Sequence, residues 1–276
     1  MQHKKCSLNT IILGIVPPFI KSIIKRVIGK NNRFIGNYGS WKEALRNCNS
    51  YQSQDILEKV KQSTLKVLQG EVVYERDGVC FESIQYASDL NAAILLAYVD
   101  KGVNERFSVL DFGGSLGTTY RQFESFTNYQ LDFVWRILEQ KNFSDTGKLF
   151  FETSKLKFYE SGTYDCAAHG ANITIISSVL EFIECPYEVL KKLSTSNSKY
   201  FVLDRTPVWG GKSDVLTVLK AARHIGGSYP CWIFARENIT SFFSEFELIS
   251  EWSALGGKFE FSAGEAEYIG MLWKQK

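Results

Sequence analysis

The chain has 276 residues, 45% of them hydrophobic and 22% charged, which suits one α/β domain with extensions rather than a disordered or disulfide-stapled chain. Net charge is +2, but eight Lys and Arg fall in residues 1–42, which hold no acid, leaving 24 basic against 30 acidic residues in a mildly acidic body. That body excludes a nucleic-acid footprint, which needs a basic stripe on a folded face. The six scattered cysteines (6, 48, 80, 166, 185, 231) have no metal-ligand spacing and suit a reducing compartment.

Residues 10–20 are apolar, but eleven residues interrupted by Pro17 and Pro18 are too few to span a bilayer, which takes about 20. No small-residue cleavage site follows. Ile20, Ile23, Ile24, Val27 and Ile28 share one face of a predicted helix, with Lys21, Lys25 and Arg26 away from it. A basic amphipathic helix within residues 11–30 suits peripheral contact with an anionic membrane; the alternative is a cap packed on the domain. Residues 31–50 read as a loop ending in a short Trp41–Arg46 helix. A helix over 55–69 carries Ile56, Val60, Leu65 and Leu68 as its stripe and stops at Gly70; another covers about 84–99. The expected organisation is a basic arm at 1–35, a helical cap at 36–100 and an α/β domain at 101–276.

From residue 107 the texture alternates. Predicted strands lie at 107–112, 131–139, 156–159, 173–177, 199–204, 246–252 and 266–273, with a helix at 186–193. Strands alternating with helices predict a Rossmann-like, seven-stranded, mostly parallel sheet with helices on both faces, the last two strands forming an antiparallel pair at one edge.

The chemistry concentrates at VLDFGGSLG, residues 109–117. Asp111 closes a strand, and Gly113, Gly114, Ser115 and Gly117 form a turn before a helix start at Thr118. Glycines there let backbone approach a ligand, and the helix start offers free N–H donors. A dinucleotide fingerprint fails, because Ser115 and Thr118 stand where its second and third glycines belong, and the Gly-Lys-Ser/Thr of a phosphate loop is absent.

The pattern Asp111-x-Gly113-x-Ser115-x-Gly117 resembles the first motif of class I S-adenosylmethionine (SAM)-dependent methyltransferases. Glu139, 28 residues on, stands where that superfamily's ribose-binding acid stands. Ser177-Ser178-Val179-Leu180-Glu181-Phe182 resembles its segment after the fourth strand, so Ser177 and Ser178 are expected at the cofactor and Glu181 at the substrate. NYGSWKEAL (37–45), residues 56–75, DRTP (204–207), SYPCWIF (228–234) and EYIG (267–270) together resemble a family of bacterial methyltransferases of unknown substrate. That family often accompanies surface-polysaccharide biosynthesis. The resemblance implies SAM as cofactor and a small-molecule or glycan acceptor methylated on oxygen or nitrogen; the scattered cysteines point to a cytoplasmic protein, and the membrane reading of the basic helix would put it peripherally at the inner membrane face.

Candidate catalytic residues are Asp204 as base, Arg205 as a clamp on an anionic acceptor and His224, whose neutral imidazole suits proton transfer near pH 7. Tyr229 and Trp232 are candidates for an aromatic lid on the acceptor. No metal ligand set is expected. A non-catalytic binding or scaffold protein on the same fold is the main alternative; a nicotinamide-dependent oxidoreductase or epimerase lacks its glycines and a Tyr-x-x-x-Lys pair.

Overall fold

Runs that are apolar on both sides of a strand must be covered on both faces, and that requirement builds the layers here. The computed structural model describes residues 33–48, 53–83, 88–101, 106–165, 169–220 and 227–276. In chain order the elements are β1 (Phe34–Ile35), α1 (Trp41–Arg46), α2 (Ser53–Leu68), β2 (Tyr74–Arg76), β3 (Val79–Phe81), α3 (Ser88–Val99), β4 (Phe107–Phe112), α4 (Thr118–Phe126), β5 (Phe133–Glu139), α5 (Lys141–Phe150), β6 (Leu156–Glu160) and β7 (Ile173–Ser177). A 3-10 turn (Leu180–Phe182) follows, then α6 (Pro186–Ser194), β8 (Tyr200–Trp209), β9 (Val215–Lys220), β10 (Ser228–Ala235), α7 (Arg236–Phe242), β11 (Phe246–Phe261) and β12 (Gly264–Gln275). Residues Phe34–Lys276 form one compact unit. The predicted helix within residues 11–30 and His224 lie outside the described residues.

The parallel centre runs β6-β5-β4-β7-β8, so the strand order reverses between β4 and β7. Alternate residues of one strand serve opposite faces. Val109, Trp135, Ile175 and Val202 pack with Val60 of α2, Ile94 of α3 and Phe123 of α4, whereas Leu110, Leu138, Ile176 and Leu203 pack with Leu190 of α6 and Ile239 of α7. Helices therefore cover both faces.

The sheet is not the seven-stranded, mostly parallel one the sequence suggests: it has ten strands and is mixed. A parallel connection needs a crossover of a dozen or more residues. The two residues between β11 and β12 permit only a hairpin. β9 and β10 also pair antiparallel, and β1 adds to β9. The late pair lies where the sequence suggests, antiparallel and at the sheet edge beyond β8, with β11 paired to β12. β12 runs antiparallel along β8 from Tyr200 to Trp209, so β8 is covered by β7 on one side and β12 on the other. Pro230 lies inside β10. Among the described residues no helix is long and apolar enough to cross a membrane.

Candidate active site

Open α/β sheets bind ligands beyond the carboxyl ends of their strands, where the strand order reverses. Here that place is the crevice beyond β4 and β7. The turn after β4 is built by conformations side chains resist. Gly113 (φ 73°) and Gly117 (φ 96°) are left-handed, and so is Ser115 (φ 54°). A Cβ on Gly113 would stand 2.6 Å from Val179 Cγ2, and one on Gly114 2.5 Å from Asp111 Oδ2, so both positions are closed to side chains. Gly117 begins α4 without a capping side chain, which leaves the first-turn N–H groups for another acceptor. Tyr120 and Phe123 bury one face of α4 on Phe133 and Trp135, in the same core cluster as Leu116 of the preceding turn, and fix its direction.

Two carboxylates flank the turn in different environments. Asp111 lies beneath it at 1% exposure, its Oδ2 accepting from Trp135 Nε1 at 2.9 Å. Burial pushes its pKa up to about 7; the Trp135 bond and Arg205 oppose the rise, and the charge of Glu139 adds to it. Glu139, half-buried at the end of β5, accepts Ser115 N–H at 3.0 Å on Oε1 and Gln140 N–H at 2.9 Å on Oε2. Burial raises its pKa against those two bonds. Each of its oxygens keeps a further acceptor direction.

Beyond β7 the chain again turns left-handed at Ser178 (φ 54°), whose N–H donates to Asp204 O at 2.9 Å. Glu181 is fully buried below it, 3.4 Å from the Ser178 hydroxyl, and burial lifts its pKa to about 8. On β8, Asp204 and Arg205 face the single residue Gly270 of β12, since Leu203 pairs Met271 and Thr206 pairs Ile269. This is a β-bulge, and bulges re-aim side chains. Arg205 occupies it in the left-handed region (φ 50°). Three non-glycine residues thus hold strained backbone at neighbouring strand ends, at a cost on the order of 1–3 kcal/mol each; such strain clusters at functional sites.

Asp204 is held from two sides, with Trp252 Nε1 donating to Oδ1 at 3.1 Å and Ser177 Oγ to Oδ2 at 2.8 Å. Arg205 Nε donates to Ser177 Oγ at 3.3 Å and stands 3.8 Å from Asp204 Oδ2. These residues open into a cavity of about 530 Å³ also lined by Arg76, Asp89, Thr119 and Gln122. The residues 113–117 and Glu139 are not among its described lining residues; the cavity reaches the turn through Thr119 of α4.

The fold thus gathers Asp111, Gly113, Gly114, Ser115, Gly117, Glu139, Ser177, Ser178, Asp204 and Arg205 at one end of the sheet, with Glu181 beneath. Tyr229 and Trp232 go elsewhere. Tyr229 meets the edge of Phe182, while Trp232 donates to Ile183 O at 3.0 Å and stacks on Trp41. Neither is among the described residues lining the cavity, where the aromatic wall is Trp252. Trp252, Arg76, Asp89 and Gln122 carried no signal in the sequence reading, since each sits on an element whose local pattern reports only strand or helix. The motifs do meet in pairs: DRTP lies along EYIG, with Pro207 opposite Tyr268, and NYGSW reaches SYPCW through Trp41 and Trp232.

No family model matches the chain, and no curated protein is similar to it. Several solved structures are similar in fold. The N-terminal domain of EvdMO1, crystallised in the presence of SAH and D-fucose, is 15% identical over 82% of this chain and 98% of that one, with a TM-score of 0.49. LepI in complex with SAM is 10% identical over 92% of this chain and 62% of that one, with a TM-score of 0.48. The glycopeptide N-methyltransferase MtfA, complexed with SAM, is 11% identical over 67% of this chain and 93% of that one, with a TM-score of 0.43.

Proposed function

We propose that the chain is a class I SAM-dependent methyltransferase acting on oxygen or nitrogen of a small-molecule or glycan acceptor in bacterial surface-polysaccharide biosynthesis. The observation that carries the reading is the bulge at Asp204–Arg205, which turns a carboxylate and a guanidinium into an open cavity beside a glycine turn at the reversal of strand order. The donor set suits SAM. Glu139 retains acceptor directions for ribose hydroxyls, the uncapped start of α4 offers N–H donors, and Ser177 and Ser178 add hydroxyls. Bound SAM supplies an electrophilic methyl group on a positively charged sulfur.

The chain's own work is alignment and proton transfer. Asp204, fixed by Trp252 and Ser177, accepts the proton of an acceptor hydroxyl. Arg205 orients the acceptor from the bulge. The turn residues 113–117 hold the cofactor, and Glu181 borders it from below. The basic N-terminal segment, whose sequence predicts an amphipathic helix, brings the protein to the inner face of the membrane.

One observation favours the scaffold alternative: Glu139 and Asp111 already have protein hydrogen-bond partners. Calorimetric titration with SAM, SAH and NAD separates the readings, with micromolar SAH binding and no NAD binding expected. Transfer of a labelled methyl group to a panel of nucleotide-sugars and oligosaccharides then tests catalysis. A chain that binds neither SAM nor SAH ends the methyltransferase reading. Flotation with liposomes, with and without residues 1–30, tests the membrane contact; equal flotation of both forms removes it.

A further inference from the structure

The hairpin β2–β3 does more than cover α4. Successive residues of a strand point to opposite sides, and β2 uses both. Glu75, at 2% exposure, reaches the Thr118 hydroxyl at the first turn of α4. Tyr74 OH accepts from Gln122 Nε2 at 3.0 Å, one helical turn further along. These two contacts tie the strand across the start of α4. Arg76, next in the strand, is thereby carried to the wall of the 530 Å³ cavity that Arg205 also lines. Its guanidinium lies over the Tyr74 ring, 5.2 Å from the centroid, and among the described residues it has no carboxylate within 4 Å.

Arg205 lines the same cavity from β8. Among the described residues only its Nε is engaged, by the Ser177 hydroxyl and at 3.8 Å by Asp204. Asp204 accepts from Trp252 and Ser177 and stands beside the Nε of Arg205, and among the described residues it makes no bond to the terminal nitrogens of Arg205. Tyr74 lies near both cations: Arg76 and Arg205 each pull its pKa down against the upward push of burial. A guanidinium presents a planar fork matched to two oxygens of a carboxylate or phosphate, and two such forks on one cavity make a site for such a group beside the Asp204 and Asp89 carboxylates that line the same cavity.

We propose that Arg76 and Arg205 form an anion subsite that takes a carboxylate or phosphate group within the cavity. The proposal rests on the methyltransferase reading only for the source of that group. One source is the acceptor, such as an acidic sugar or a sugar phosphate; the other is the amino-acid tail of the cofactor.

Binding of four probes to the full chain tests it: inorganic phosphate, malonate, SAH, and 5′-methylthioadenosine, which lacks the amino-acid tail. Wild type is compared with Arg76→Gln, Arg205→Gln and the charge-retaining Arg76→Lys and Arg205→Lys, each checked for fold by circular dichroism. If the group belongs to the acceptor, wild type binds phosphate or malonate, and each Gln variant weakens that binding at least tenfold. If it belongs to the cofactor, wild type prefers SAH over methylthioadenosine, and each Gln variant reduces that preference at least tenfold. The Lys variants fall between, because they keep the charge and lose the fork. Phosphate and malonate affinities and the SAH preference all within twofold of wild type in both Gln variants overturn the subsite, as does a wild type that shows neither anion binding nor the preference. Loss of both nucleoside probes with anion binding intact sinks the cofactor reading and leaves the subsite standing.

Discussion

Trp252 and Gly270 face each other across β11 and β12, and the indole fills the volume a side chain at 270 would need: a Cβ there would stand 1.9 Å from Trp252 Cε2. Gly270 is also the single residue opposite the Asp204–Arg205 bulge. The glycine thus lets a tryptophan lie flat against the strand while its N–H reaches Asp204. Gly270→Ala should displace the indole, blue- or red-shift Trp emission and lower stability by about 1–3 kcal/mol, as overpacking does. Denaturant unfolding with fluorescence readout checks this; an unchanged midpoint and spectrum would contradict the packing.

Asp204→Asn keeps an acceptor for Trp252 and removes the proton-accepting charge. Turnover should fall roughly 10²- to 10⁴-fold, while SAH affinity from calorimetry stays within a few-fold of wild type. A parallel loss of SAH affinity would place Asp204 at the cofactor instead of the acceptor.

Gly113 and Val179 form a second dependent pair. Gly113→Ala adds a Cβ 2.6 Å from Val179 Cγ2 on a residue with φ of 73°. SAH affinity should drop at least tenfold. In a double-mutant cycle read by urea unfolding, Gly113→Ala should cost less in a Val179→Ala background, because only the backbone term of about 1–2 kcal/mol remains. Additive costs would mean that Val179 does not set the limit.

Asp111 and Glu181 give stability a pH dependence of predictable sign. Both carboxyls ionise in the folded chain well above their unfolded values, Asp111 near 7 and Glu181 near 8. Their folded forms therefore favour the proton. The stability they contribute is complete below about pH 4 and is lost as pH rises through 7 and 8. Asp111→Asn, which still accepts from Trp135 and cannot ionise, should flatten the fall in Tm between pH 6 and pH 8. Identical Tm profiles for wild type and Asp111→Asn would refute the assignment.

Local pattern made some of this architecture legible and hid the rest. β4 and β7 have the bounds their apolar runs indicate, since FSVLD and ITIIS are buried on both faces. The Trp41–Arg46 helix is legible because Ser40 caps it at Glu43 N–H. β8 was expected to stop at residue 204, where acid, Arg and Pro succeed one another. It continues to Trp209 because β12 and β10 supply partners from 26 to 63 residues downstream, and no local signal reports a distant partner. The glycine turn was visible as composition. The bulge was not: it depends on how two strands align, so Arg205 was readable as a residue while its left-handed backbone was not. Trp252 and Arg76 reach the cavity only through cross-strand and hairpin geometry.

The place of β12 also bears on synthesis. β8 sits in the middle of the sheet, yet the strand that covers its second side includes residues 266–274. A nascent chain that has already paired β8 with β7 still presents a bare hydrogen-bonding flank for some sixty residues of translation, and such a flank invites pairing with other chains. Chaperone shielding of that flank during translation should therefore govern how much of the protein reaches its working form.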